Sequence, residues 1–101
     1  MSITSAYRKQ LKAIGHNLHA IITVADKGVT ETIHAEIERA LDDHELIKIR
    51  LSIADRQAKR ATGEDICLQH KAALIQRIGN IILIFRAAEK PNPKLSNLLK
   101  L

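Results

Sequence analysis

The sequence predicts a single α/β domain of seven elements in the order helix, strand, helix, strand, helix, strand, strand. Apolar residues recur at helical spacings of three and four in three separate segments. Short runs rich in β-branched residues alternate with these segments, and a glycine–asparagine pair divides the last apolar region in the manner of a β-hairpin. Strands separated by helices favour a four-stranded mixed sheet with right-handed crossovers and with the helices mainly on one face.

The first helix and the first strand are predicted from the N-terminal part of the chain. The apolar residues of the helix lie three or four positions apart: Tyr7, Leu11, Ile14 and Leu18. Thr4 or Ser5 can cap its start, and Gly15 lies near its end. The run 20–24, AIITV, is rich in β-branched residues and leads into a turn at 26–28. It is therefore predicted as the first strand.

The second helix is predicted over residues 30–43. Its apolar stripe consists of Ile33, Ile37, Ala40 and Leu41. Six of the eleven acidic residues of the chain lie within 31–45, and those of the helix fall off the stripe, so they are expected on its solvent face. The run 45–53, ELIKIRLSI, alternates between apolar and polar residues. This period of two predicts a strand that presents Lys48 and Arg50 on one face.

A third helix and a hairpin are predicted in the second half of the chain. Asp55 can cap a helix that runs to about residue 71. Its thin apolar stripe consists of Ala58, Ala61, Thr62 and Leu68. Gly63 should weaken this helix by up to about 1 kcal/mol relative to alanine. The runs 73–78 and 80–86 flank the dipeptide Gly79–Asn80 and predict two antiparallel strands.

Residues 88–101 are predicted to form a flexible basic C-terminal tail, separate from a domain formed by residues 1–87. Both prolines of the chain lie in this tail, and the residue before a proline is biased away from helical conformation. Chain ends of this kind are disordered by default. The alternative is that the leucines of the tail dock as a short helix: Leu95, Leu98, Leu99 and Leu101.

Composition and charge narrow the class of protein. A chain of 101 residues is long enough to bury a core without cross-links, and Cys67 is the single cysteine, which fits a reducing compartment. The sequence has neither an apolar signal segment nor a run long enough to cross a bilayer, so a cytoplasmic protein without membrane contact is expected. The formal net charge of +5, with the acidic residues concentrated in one segment, suits a polyanionic partner.

Lys27 and Gly28 immediately precede the predicted helix start at Thr30. Backbone N–H groups converge at a helix N-terminus and the helix dipole is positive there, so this position can bind a phosphate. On the residues alone, a plain strand-to-helix turn is the other interpretation.

Two pairs of residues could each supply half of a zinc site. His16 and His19 form an HxxH pair, and Cys67 and His70 form a CxxH pair. Neither has a second pair at zinc-finger spacing, so no metal is expected, and His70 is expected to be exposed. Because the sequence also lacks a nucleophile elbow and a Walker loop, it predicts a protein that is not an enzyme, without cofactor or small-molecule substrate.

The aromatic content narrows the mode of recognition further. Tyr7 and Phe85 are the only two aromatic residues, and both lie in apolar patterns that predict burial. Readers of single-stranded bases need exposed rings for stacking. Contacts to phosphate, sugar and nucleic-acid shape are therefore expected instead.

Four stretches together resemble a known family: LKAIGHNLHAIITV, KGVTETIHAEIERALDDHELIKIRL, DRQAK and QRIGNIILIFR. The pattern, which covers about residues 7–87, is similar to the YhbY-type bacterial stand-alone CRM domain. This resemblance implies an α/β RNA-binding fold similar to the C-terminal domain of bacterial translation initiation factor three, and association with ribosomal RNA or with precursors of the large ribosomal subunit. It also implies that residues 25–28 take the place of the family's RNA-contacting GxxG loop, with Ala25 in place of the first glycine.

The residues expected to contact RNA are this loop, the adjoining helix start and the cations around them. They are Lys27, Gly28, Thr30, Lys9, Lys12, Lys48, Arg50, Arg56, Lys59, Arg60 and Arg86. The protein is expected to act as a monomer. Two other hypotheses stay open: a module that docks on a ribosomal protein or assembly factor through the acidic helix or the leucines of the tail, and a small enzyme with a pocket lined by His16 and His19.

Overall fold

Three helices alternate with the first strands of a four-stranded sheet, in the order that the sequence predicts. The structure is a computed structural model and describes residues 3–98. The elements are α1 (Ser5–Gly15), β1 (Ala20–Ala25), α2 (Glu31–His44), β2 (Leu46–Ser52), α3 (Arg56–Gln69), β3 (Ala73–Ile78) and β4 (Ile81–Phe85). None of these helices is both long and apolar enough to span a membrane, within the described residues.

Each helix begins at a side chain that the sequence marks as a cap. The hydroxyl oxygens of Thr4 and Thr30 and a carboxylate oxygen of Asp55 accept hydrogen bonds from the backbone N–H three residues further on, at 3.1, 3.2 and 2.8 Å. A cap of this kind stabilises a helix by about 1 kcal/mol. The predicted starts of all three helices are thus confirmed.

The strands lie in the order β1-β2-β4-β3. β1 runs parallel to β2, whereas β4 pairs antiparallel with both β2 and β3, so the sheet is mixed as predicted. The turn at Gly79 and Asn80 joins β3 to β4 and confirms the predicted hairpin. Gly79 has a φ of +56°, which glycine adopts without a steric penalty.

The two faces of the sheet carry different helices. α2 and α3 pack on one face over a core of Ile22, Val24, Ile37, Ala40, Leu41, Ile47, Ile49, Leu51, Ile53, Ile66, Cys67, Ile82 and Ile84. α1 packs on the other face over a smaller core of Leu11, Leu46, Ile75, Leu83 and Phe85. The alternation predicted for β2 is confirmed, because Lys48 and Arg50 face away from the larger core.

The predicted apolar stripe of α3 is wrong. Leu68 is 78% exposed, and the buried residues of this helix are Gly63, Ile66 and Cys67. A Cβ atom at Gly63 would lie 3.3 Å from Arg77 Nη1 and 3.4 Å from a Leu51 methyl group. Because glycine has no side chain, α3 can lie close to the sheet at Gly63. The buried side of the helix therefore includes Gly63, which a pattern of apolar side chains does not mark.

Residues 88–98, here called the C-terminal segment, are the described part of the region predicted as a flexible tail, 88–101. It runs through turns against the domain, and Ser96 in it is completely buried. The Asn97 side chain donates a hydrogen bond to the Leu46 carbonyl at 2.6 Å, and Leu98 packs on the smaller core. Leu98 thus docks on the domain, as the alternative prediction has it, but as part of a turn and not of a short helix. Leu99 and Leu101 lie outside the described residues.

Glu45 holds this segment to the end of α2. Its carboxylate accepts hydrogen bonds from the Ser96 hydroxyl at 2.7 Å and from the Ala88 N–H at 2.9 Å. The side chain is buried, and the backbone has φ +64° and ψ −45°, close to the strained γ-turn region. Such a conformation costs about 1–3 kcal/mol and persists only where surrounding contacts determine it.

The edge strand β3 has an irregular pairing with β4 and is contacted by a side chain from α1. The register shifts between Leu74 and Gln76, which is a β-bulge. At this point the Arg8 guanidinium donates hydrogen bonds to the carbonyl oxygens of Leu74 and Ile75, at 2.7 and 3.2 Å. Arg8 thereby satisfies acceptors on the edge strand and attaches α1 to the sheet.

Candidate nucleic-acid interface

Three loops meet at one end of the sheet, where β1 and β2 terminate and β3 turns into β4. They are residues 25–30, 53–55 and 79–80, called the loop end below. An Asp26 carboxylate oxygen accepts a hydrogen bond from the Ala54 N–H at 3.0 Å, which ties the first loop to the second. The Leu51 N–H donates to the Asn80 carbonyl at 2.6 Å, which ties β2 to the hairpin turn. The loop end is therefore a connected surface.

The first loop contains the predicted GxxG-like residues. The Gly28 N–H donates to the Ala25 carbonyl at 2.9 Å, and Gly28 has a φ of +86°. A Cβ built on Gly28 would meet no atom within 4 Å, so the backbone faces open space there. Lys27 beside it is exposed.

Ala25 fits its position without strain. It is the last residue of β1 and pairs with Ser52, and within residues 3–98 the non-glycine residues with positive φ are Glu45 and Lys71. The first position of the loop therefore does not need the conformational freedom of glycine. Relative to the glycine that the sequence resemblance implies at this position, Ala25 adds a methyl group at the loop end and leaves the backbone unstrained.

Thr30 has a structural task at the start of α2. Its hydroxyl oxygen accepts a hydrogen bond from the Ile33 N–H, as a helix cap does. The hydroxyl hydrogen is still a possible donor to an anion. Glu31, the first residue of the helix, is exposed and places a negative charge next to this position. Lys27 is therefore the main source of positive charge in the first loop.

The first turns of α3 bring three predicted cations to the loop end. Arg56 and Arg60 are exposed and Lys59 is half-buried. Lys59 Nζ donates a hydrogen bond to the side-chain oxygen of Asn80 at 2.6 Å, which links the helix to the hairpin turn. These residues surround a pocket of about 270 Å³, here called the hairpin pocket. Its lining consists of Leu51, Arg56, Lys59, Arg60, Arg77, Gly79, Asn80 and Ile82.

Arg77 is a member of this cluster that the sequence prediction missed. It pairs with Ile82, and directly paired residues share one face of a sheet, so Arg77 lies on the side that carries α3. The turn at 79–80 was a signal that could have found it, because a two-residue hairpin fixes the register. Once Ile82 is assigned to the core, this register places Arg77 beside α3.

One carboxylate balances part of this positive charge. Glu64 Oε1 lies 3.4 Å from both Arg60 and Arg77. Among the residues that line the hairpin pocket and their ion-pair partners in the described chain, four cations thus meet one acidic group. An excess of positive charge in a concave site attracts phosphate groups.

The remaining predicted cations lie elsewhere. Lys48 and Arg50 are on the sheet face opposite to α3. Lys9 and Lys12 are exposed on α1, which packs on that same face. These four residues lie on the α1 side of the sheet and are called the sheet-face cations below; no described contact joins them to the hairpin pocket.

Arg86 does not join the sheet-face cations, contrary to the sequence prediction. It follows β4 at the end of the sheet away from the loops, because Phe85 pairs with Leu46 at the start of β2. Its guanidinium contacts Glu38 at 2.9 Å and Asp42 at 2.8 Å, and it is 18% exposed. Two carboxylates therefore compensate its charge, and Arg86 stabilises the contact between β4 and α2.

His70 is buried, whereas the sequence predicts an exposed residue. Its Nδ1 donates a hydrogen bond to Glu38 at 2.6 Å, and its Nε2 lies 2.9 Å from His34 Nδ1. The hydrogen bond from His70, assisted by Arg86, lowers the pKa of Glu38 below its ordinary value. His70 therefore belongs to a polar contact between α2 and the end of α3.

The CxxH and HxxH pairs belong to different parts of the structure. Cys67 lies in the larger core, where burial raises the pKa of its thiol to about 11. His16 ends α1, and His19 is an exposed residue before β1. Across residues 3–98, no three His, Cys, Asp or Glu side chains are grouped as metal ligands.

The two aromatic rings contact each other. Phe85 is buried as predicted, but Tyr7 is 36% exposed and lies edge-to-face with Phe85 at a centroid distance of 5.7 Å. Both rings belong to the α1 side of the sheet, away from the hairpin pocket. A stacking surface of aromatic rings is thus not part of the loop end.

Comparison with known proteins gives consistent results over nearly the whole chain. The family model of the CRS1/YhbY (CRM) domain matches residues 3–86. A protein of Pseudomonas aeruginosa named as a probable RNA-binding protein is 46% identical over 98 residues, which cover 97% of this chain and 94% of the relative. An RNA-binding protein of Haemophilus influenzae is 38% identical over 96 residues, covering 94% and 97% of the two chains.

A solved structure shows the same fold. The solution structure of a hypothetical protein from Staphylococcus aureus, described as a candidate RNA-binding protein, matches with a TM-score of 0.76 at 25% sequence identity. The match covers 88% of this chain and 93% of the other. The predicted fold class is thereby confirmed.

Proposed function

The chain belongs to the CRS1/YhbY (CRM) domain family, and we propose that it binds RNA through the loop end of its sheet. The observation that carries the proposal is the convergence of Lys27, the open backbone at Gly28 and the cations of α3 on one connected surface. The names of the relatives from Pseudomonas and Haemophilus, both of which refer to RNA binding, support the same partner.

The mode of binding follows from the chemistry of this surface. Guanidinium and ammonium groups bind phosphate oxygens, and a glycine backbone without a side chain lets a sugar–phosphate chain approach closely. Exposed aromatic rings are not available at the loop end for stacking. We therefore propose recognition of phosphate, sugar and RNA shape, with affinity that falls as salt concentration rises.

The biological partner we propose is ribosomal RNA, in precursors of the large ribosomal subunit during assembly. In this role the protein acts as a cytoplasmic monomer, and its contribution is binding alone, without a catalytic step or cofactor. The sheet-face cations supply a second area that can contact another RNA segment, since a precursor particle presents many phosphates around a small domain.

The test compares wild-type protein with a Lys27→Glu variant in binding to large-subunit ribosomal RNA. Lys90→Glu is the matched control, because Lys90 is also exposed and lies near Asp42 and Arg86, at the opposite end of the sheet. Affinity is measured at several salt concentrations with duplex DNA as competitor, and folding of each variant is checked by circular dichroism.

Lys27→Glu should weaken RNA binding about tenfold, and a lost phosphate contact should reduce the slope of the salt dependence by about one. Lys90→Glu should change both much less. Equal effects of the two variants would remove the loop end from the proposal. No preference for RNA over DNA would remove RNA as the partner.

A second experiment tests the ribosomal partner. In cells that lack the protein, precursors of the large subunit should accumulate in gradient profiles, and a strain carrying Lys27→Glu should show the same defect. Normal profiles in both strains would refute the ribosomal role. Binding to a ribosomal protein or assembly factor that survives RNase and high salt would instead favour the docking-module hypothesis, because phosphate contacts are salt-sensitive.

A further inference from the structure

We infer that the hairpin pocket receives one unstacked nucleotide of the bound RNA. This inference rests on the proposed RNA-binding function and adds a site to it. The pocket lies between the first turns of α3 and the turn of the β3–β4 hairpin, beside the loop that contains Lys27. An RNA backbone that follows the loop end passes this opening.

The size of the pocket limits what it can hold. Its volume of about 270 Å³ is slightly below the range of roughly 300–1,000 Å³ that is usual for sites of drug-sized ligands. Liquid water occupies about 30 Å³ per molecule, so the pocket is much larger than a site for an ordered water or a small ion. It therefore suits one flat group of nucleobase size, with the attached phosphate outside.

The lining supplies different chemistry at the rim and in the interior. Arg56 and Arg60 are exposed at the rim, where they can bind phosphate oxygens. Asn80 places an amide in the wall; its oxygen accepts from Lys59 Nζ at 2.6 Å, and its NH₂ group can donate to the edge of a base. Leu51 and Ile82 are buried and close the bottom with apolar atoms. A site for phosphate alone would need neither the amide nor the apolar bottom.

Arg77 is held in a position from which it can stack on a base. Gly63 leaves room for its guanidinium against α3, and Glu64 Oε1 lies 3.4 Å from Arg77 Nη2. Its side chain is 29% exposed, so one part faces the pocket while the rest is packed. Unpaired bases in RNA stack on arginine planes as well as on aromatic rings. An ordered arginine can thus replace the aromatic residue that the loop end lacks.

The experiment uses two RNA hairpins that differ only in one bulged nucleotide, which is present in one hairpin and absent from the other. Binding of the full chain is measured for wild type, Arg77→Gln and Arg77→Lys. Lysine keeps the charge but not the planar guanidinium, so it separates stacking from charge. Arg39→Gln on α2 is the control, because Arg39 is a highly exposed arginine whose ion-pair distance is 3.9 Å.

Wild type should prefer the bulged hairpin about tenfold, which is the scale of one base-stacking contact. Both Arg77 variants should lose this preference, Arg77→Lys should bind the fully paired hairpin as wild type does, and Arg39→Gln should keep the preference. Competition should be stronger with uridine monophosphate than with inorganic phosphate, because only the nucleotide carries a base.

Four results would overturn the inference. Equal binding of the two hairpins by wild type would refute the nucleotide pocket and leave the proposed RNA-binding function intact. A preference that survives in Arg77→Lys would show that charge alone produces it, and equal competition by phosphate would reduce the pocket to an anion site. If wild type binds neither hairpin nor ribosomal RNA, the proposed function fails, and the pocket hypothesis fails with it.

Discussion

Replacing Glu45 with glutamine should loosen the C-terminal segment from the rest of the domain. Glutamine has nearly the same size and can keep the same backbone, so the substitution removes the charge without creating a cavity. The Glu45 carboxylate accepts hydrogen bonds from the Ser96 hydroxyl and the Ala88 N–H, and Ser96 is completely buried. The substitution therefore tests whether these two bonds hold residues 88–98 in place.

The expected loss follows from the hydrogen-bond geometry. A hydrogen bond to a charged group contributes about 1.5–3 kcal/mol, and the carboxylate makes two, at 2.7 and 2.9 Å. A glutamine amide has one oxygen, so it can keep one bond but presents its NH₂ group to the second donor. The free energy of unfolding should fall by about 2 kcal/mol. For a domain of about 100 residues, this lowers the Tm by roughly 8–16 °C.

Urea denaturation followed by circular dichroism measures this loss, and hydrogen exchange of the Ala88 N–H reports local opening. Glu89→Gln makes the same chemical change at an exposed position and should stay within about 0.5 kcal/mol of wild type. Ser96→Ala should cost less than Glu45→Gln, and the double variant should cost less than the sum, because the two residues share one bond. If Glu45→Gln is as stable as Glu89→Gln, the segment does not depend on these bonds and the reasoning is wrong.

Two further predictions concern packing and pH. Gly15→Ala should reduce the free energy of unfolding by about 1–3 kcal/mol in chemical denaturation, because the new Cβ would lie 2.5 Å from a methyl group of buried Leu83. Adding Leu83→Val to this variant should restore part of the lost stability. A Gly15→Ala variant as stable as wild type would contradict the close packing of α1 on Leu83. Hydrogen bonds from His70 and Arg86 lower the pKa of Glu38 from its ordinary value of 4.5. The contribution of the ionised Glu38 to the free energy of unfolding is therefore complete above pH 4.5 and is lost as pH falls through the lowered pKa. Unfolding free energies measured against pH should therefore fall less steeply below pH 4.5 in Glu38→Gln than in wild type, and parallel curves would refute this role.

The order and type of the elements could be predicted because local signals agree with the tertiary structure. Thr4, Thr30 and Asp55 each precede a helix and cap it, and Gly79–Asn80 separates two strands whose register follows from the short turn. The period of two in β2 depends on a sheet with a buried face, which the structure has. Such signals act between residues that are near in sequence, so a single sequence contains them.

The features that the sequence did not predict depend on packing and on contacts between residues that are far apart in the chain. The buried side of α3 is centred on Gly63, and a count of apolar side chains cannot detect a residue that packs through having none. His70 is buried because Glu38 and His34, more than 30 residues earlier in the chain, supply its hydrogen bonds. The C-terminal segment docks because Glu45 accepts from Ser96 across a separation of 51 residues. None of these long-range contacts leaves a periodic pattern.

The candidate site shows the same division. Lys27, Gly28 and the cations of α3 were predicted because each lies next to a helix start that the sequence marks. Arg77 was missed and Arg86 was placed on the wrong surface, because both are strand-associated cations whose environment depends on the neighbouring helix. Arg77 lies next to the cation-rich start of α3 and adds to the positive charge of the hairpin pocket. Arg86 lies next to the acidic helix α2, where two carboxylates compensate its charge.

The position of Arg8 has a consequence for the behaviour of the protein at high concentration. An edge strand with unsatisfied carbonyl groups is a template for strands of other molecules, and this is a common route to aggregation. At the β3 edge the Arg8 guanidinium occupies the carbonyl oxygens of Leu74 and Ile75, and the bulge there interrupts the regular spacing that an incoming strand would need. A charged side chain from the first helix thus opposes intermolecular strand addition at this stretch of the β3 edge.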